Sequence, residues 1–181
     1  LTMNGNIYSE NRYCSYNVGM YKANEKLKDA DTETLLTMGK NFIRKGELQL
    51  GEMTISKALE TAPMDKDLLD YYGYASFMLG NYSDALKANE KALELDPQSV
   101  YDNKGMGLTI VKLDRLEEGL AYLRKSLDLT AENFMDPYYD LAVVLIENGR
   151  TEEAAGVIEA GKKKSPMCAS TGEALYRLMN K

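Results

Sequence analysis

Apolar positions along this chain recur at helical spacing, in pairs of short runs split by turn residues. Around the stretch YYGYASFMLGNYSDALKANEKALELDP, residues 71–97, the pattern is clear. Leu69, Tyr72 and Ser76 fall three and four apart, which places them on one helix face. Gly80-Asn81 interrupts that helix, and Asn81 suits the N-cap of the next, with Asp84 beside its positive end. Ala85, Ala92 and Leu93 then line a second helix, and Pro97 stops it. The expected element is a helical hairpin.

The hairpin repeats. The fragment KANEK occurs at 22–26 and again at 87–91. Gly39, Gly73 and Gly107 are 34 residues apart, as are Pro63 and Pro97. The same step joins Ala58, Ala92 and Ser126, and joins Gly51, Ala85 and Gly119. Gly46, Gly80 and Asp114 fall at the turn of each unit. After Asn133 the register slips by one residue, Phe134, and a fourth copy follows with Leu141, Ala142, Gly149, Ala154, Ile158 and Pro166. The expected units are 32–65, 66–99, 100–133 and 135–168.

With a period of 34, this order of aromatic, Gly, Ala and Pro positions resembles the tetratricopeptide repeat. The second unit carries the likeness best, through Leu69, Tyr72, Gly73, Gly80, Tyr82, Ala85, Ala92 and Pro97. Gly51 and Gly119 replace the usual Ala, Ala131 stands for Pro, and Gly161 stands for Ala. The resemblance implies an all-α fold, a right-handed α-solenoid (superhelix) of stacked antiparallel helix pairs. Glycine in a helix costs about 0.5–1 kcal/mol relative to Ala, so periodic glycines imply close backbone packing, as expected between Gly73 and Ala85. Asp114-Arg115-Leu116-Glu117 reads as an N-terminal cap, and Asp136-Pro137 as a cap residue before a helical Pro. A single hairpin cannot bury its own apolar face, so stacking and polar ends are required. A closing helix is expected over 169–181, and a helix over about 10–28 within an N-terminal extension of residues 1–31.

Composition removes many chemistries. The 181 residues are 44% hydrophobic and 28% charged, which are globular values. The absence of His excludes His-assisted nucleophiles and His-bearing zinc sites. No phosphate-cradling glycine loop occurs. The acidic residues form no pair that stands out from an ordinary helical surface, so neither a catalytic set, a metal site nor a cofactor is expected. A net charge of −6 argues against a nucleic-acid partner. No apolar run approaches the roughly 18–20 residues of a membrane span. Cys14 and Cys168 read as ordinary free thiols. Leu1 in place of Met suggests a processed or trimmed start, and the compartment stays open between cytoplasm and periplasm.

The resemblance implies that the first helix of each pair lines a concave groove binding a partner's peptide or helix. By position in the unit, that wall takes Lys40 and Arg44 from the first repeat and Asp70, Tyr74, Phe77 and Met78 from the second. The third gives Tyr101, Lys104, Leu108 and Lys112, and the fourth Tyr139, Val143 and Glu147. Tyrosine offers contact area with a polar tip, and Met adapts to irregular shapes. Phe77, Val111 and Ile146 equally suit packing between neighbouring units. Lys40 and Arg44 towards one end, against Asp136, Asp140 and Glu147 towards the other, would orient a bound segment. The Lys/Asn/Arg constellation by which related repeats clamp chaperone C-terminal carboxylates is not matched, so that ligand is disfavoured. The expected function is a non-enzymatic scaffold or adaptor for a partner protein. The alternatives are a self-assembling homo-oligomer or an accessory protein of an envelope (pilus or secretion) assembly.

Overall fold

The computed structural model describes residues 27, 29–131 and 136–164. Among the described residues lie eight α-helices and no strand. They are α1 (Thr32–Arg44), α2 (Leu48–Thr61), α3 (Lys66–Met78), α4 (Tyr82–Leu95), α5 (Val100–Lys112), α6 (Leu116–Leu129), α7 (Asp136–Glu147) and α8 (Thr151–Lys164). The helices at Thr32, Lys66 and Val100 start 34 residues apart, as do those at Leu48, Tyr82 and Leu116. α7 begins two residues beyond that step, at Asp136, and α8 one residue beyond it, at Thr151. Phe134 itself, Cys14 and Cys168, and the expected helices over 10–28 and 169–181 lie outside the described residues, apart from Leu27.

Three first helices, α1, α3 and α5, are started by a side chain. Asp31 Oδ1 accepts the Thr34 N–H at 2.8 Å, Asp65 Oδ1 that of Leu68 at 3.0 Å, and Ser99 Oγ that of Asp102 at 3.2 Å. Each satisfies one of the orphan donors of a helix start.

The second helices begin differently. Gly46, Gly80, Asp114 and Gly149 all take positive φ, at 77°, 81°, 61° and 73°. The next N–H reaches back to the preceding helix: Glu47 to the Phe42 oxygen at 2.9 Å, Asn81 to Ser76 at 2.8 Å, Arg115 to Ile110 at 3.2 Å and Arg150 to Leu145 at 2.8 Å. This is a Schellman C-cap, which needs a residue able to sit left-handed. Two expectations are corrected by it. Asn81 holds the N-cap place of α4, yet its side chain makes no cap hydrogen bond. Asp114 does not cap α6; Arg115 stands there, and Asp114 is the left-handed residue ending α5. The tight turn, rather than a side chain, launches each second helix.

Contacts divide the chain into two compact units, Leu1–Ala75 and Ser76–Lys181. In the first, Leu27, Leu35, Ile55, Ala58 and Leu68 form the core, with Tyr71 and Tyr72 packed against it. In the second, Leu120, Leu123, Leu141, Val144, Leu145 and Ala154 form the main core. Ala142 and Ile158 make a smaller cluster there. The α5/α6 pair is close at two glycines. A Cβ on Gly107 would stand 2.8 Å from the Gly119 carbonyl oxygen, and one on Gly119 2.7 Å from that of Gly107. Ser126 Oγ donates to the Val100 carbonyl at 2.9 Å and ties the far end of that pair. Asn89 on α4 donates to Thr109 Oγ1 on α5 at 3.3 Å, joining consecutive pairs.

Candidate functional site

The sequence-derived wall residues all lie on first helices, and each unit carries its own set. In the first unit, Lys40 on α1 reaches Asp67 Oδ2 on α3 at 3.0 Å. Its ammonium also lies 4.8 Å from the centre of the Tyr71 ring. Lys66 and Asp70, one turn apart on α3, pair at 3.0 Å. Lys40 and Asp70 are thus engaged within the chain, whereas Arg44 is exposed at the end of α1. Tyr74 is 51% exposed.

In the second unit, Met78 and Tyr101 are 52% and 59% exposed. Phe77 is half-buried and meets the Tyr82 ring at 5.6 Å, tilted by 56°. Lys104 on α5 extends to α7, where its ammonium lies 3.2 Å from Asp140 and 3.8 Å from Asp136. It also stands 5.4 Å from the Tyr101 ring centre. Burial pushes the Asp140 carboxyl above the usual carboxylate range; Lys104 pulls it down, and the Asp136 charge pushes it up again. Tyr139, 42% exposed, directly precedes Asp140 on α7. Lys112 and Glu147 are exposed near the ends of α5 and α7.

Leu108 and Val143 behave otherwise. Both are half-buried: Leu108 packs against the main core of the second unit and Val143 against its smaller cluster. Val111 and Ile146 pack there too. They hold neighbouring helices together and offer only edges to an incoming chain. The charge pairing was the feature least visible beforehand. Asp67 and Asp136 occupy the same place in their repeats, and each takes a lysine from the preceding first helix. Their shared position was a usable signal. Among the described residues, no group of three or more potential metal ligands converges, and no helix is long and apolar enough to cross a membrane.

Residues 36–100 match the family model described as tetratricopeptide repeat. Those residues carry the tetratricopeptide repeat. A curated relative, the protein STIP1 homolog of Dictyostelium discoideum, is 32% identical over 105 residues, covering 57% of this chain and 18% of the relative. The chain therefore spans less than a fifth of that protein's length. Among solved structures, TTC0263, a thermophilic tetratricopeptide-repeat protein of Thermus thermophilus, superposes with a TM-score of 0.69 at 17% identity, covering 82% of each chain. MamA of Desulfovibrio magneticus, solved from its residue 41 to the end, superposes with a TM-score of 0.68 at 20% identity, covering 86% of this chain and 91% of that one. At those identities the likeness establishes the fold, an all-α tetratricopeptide-repeat solenoid.

Proposed function

We propose that this chain is a non-enzymatic protein-interaction module whose first helices hold a segment of a partner protein. One observation carries the reading. Within the second unit, large apolar side chains stay exposed on successive first helices: Met78 at the end of α3, Tyr101 on α5 and Tyr139 on α7. Exposed Met64 and Leu95, by contrast, sit at or beyond the ends of second helices. Tyrosine and methionine left in water offer contact area that a partner's side chains can cover, at small entropic cost. In that unit Lys112 and Glu147, exposed near helix ends, would form a polar rim, and Arg44 is exposed in the first unit. Lys40, Asp70 and Lys104, already paired, shape the wall more than they bind.

The double substitution Tyr101→Ala with Tyr139→Ala tests this. Neither ring belongs to a core cluster, so the fold is expected to persist by circular dichroism. Capture of specific partners, identified by mass spectrometry, is expected to fall at least about tenfold, as for two contact residues worth about 1 kcal/mol each. Unchanged capture would contradict the reading.

A further inference from the structure

The face made by α5 and α7 holds more negative charge than its own lysine offsets. The Lys104 ammonium serves both Asp140 and Asp136, and it lies over the Tyr101 ring as well. The Asp136 side chain is 60% exposed and is the more distant of the two carboxylates. On the same stripe stand Tyr101 and Tyr139, both open to solvent. An exposed ring beside an under-compensated carboxylate suits a side chain with an apolar stem and a cationic head. The stem covers the ring and the head meets the carboxylate. An acidic segment would instead meet two carboxylates already sharing one ammonium.

We infer that the partner segment held on α5 and α7 carries a lysine or arginine whose head engages Asp136 and Asp140 and whose stem lies against Tyr101 and Tyr139. This rests on the proposed use of the first helices as a binding face and supplies the charge of its occupant.

The test uses the full chain, immobilised, and fluorescent nonapeptide libraries randomised except for a central Arg, Gln or Glu. The Arg library is expected to be retained about fivefold or more above the Glu library, the scale of one partly exposed ion pair. Asp136→Lys, at an exposed position, is expected to abolish that preference. Asp136→Asn with Asp140→Asn should do the same while the far-UV circular dichroism is kept. Glu94→Gln, exposed on α4, is expected to change nothing. Equal retention of the Glu and Arg libraries, or a preference that survives Asp136→Lys, would overturn the inference alone. Failure of the underlying reading looks different. No library is then retained, or Tyr101→Ala with Tyr139→Ala leaves the retention of every library unchanged; either result overturns both.

Discussion

Single residues in this chain are chosen by backbone geometry as much as by side-chain chemistry. Asp114 shows it: alone among the four turn residues it carries a side chain at positive φ. Asp114→Gly is expected to raise stability by up to about 1 kcal/mol in urea unfolding, because glycine occupies that region without strain. The two close glycines separate by what they face. A Cβ on Gly119 would meet the Gly107 carbonyl oxygen at 2.7 Å and the Val111 backbone nitrogen at 3.0 Å besides a Val111 methyl, whereas on Gly51 the tight neighbour is the Ile43 side chain alone, at Cγ1, with the Gly39 oxygen at 3.4 Å. Gly119→Ala should therefore cost about 1–3 kcal/mol, and clearly more than Gly51→Ala, in the same assay. Two carboxylates respond to pH in opposite senses. The bonds from Thr34 hold the Asp31 carboxyl below its usual range, so its contribution is present at neutral pH and lost on acidification. Asp140 is raised, mainly by burial, so the folded state binds its proton more tightly than the unfolded chain does. Its contribution is full at low pH and is lost as pH rises through the raised value. Asp140→Asn is expected to raise the thermal midpoint at pH 7 and leave it nearly unchanged at pH 3.

Helix ends decide how the elements succeed one another. Residues 31, 65 and 99 cap three first helices at the same 34-residue step that the glycines and prolines display. Ser99→Ala is expected to cost about 1 kcal/mol of unfolding free energy, read by chemical denaturation, with most of the loss in α5 by hydrogen exchange. The period and the pairing of helices were legible in the sequence because Gly, Pro and small residues have few other reasons to recur. The mode of entry into the second helices was not. Asn81 and Asp114 are residue types that serve equally at an N-cap and in a left-handed turn, and composition cannot choose between them. The Schellman bond of the preceding helix made the choice.

At the scale of the molecule, position in the repeat foretold which residues lie on first helices but not how far each is used up internally. Position nine of the repeat illustrates this. Tyr74 is exposed there, Lys40 is tied to Asp67, and Leu108 and Val143 pack into the second unit's core clusters. Such differences depend on the neighbouring helix, which a single-repeat pattern does not contain. The account's central claim is that first helices, not second helices, meet the partner. Photocrosslinking tests it most directly, with p-benzoylphenylalanine placed in turn at Tyr101 and Tyr139 and, for comparison, at Glu90 and Lys125, exposed on α4 and α6. The account predicts adducts to the same partner protein from positions 101 and 139 and none from 90 or 125. Adducts confined to 90 and 125 would contradict it.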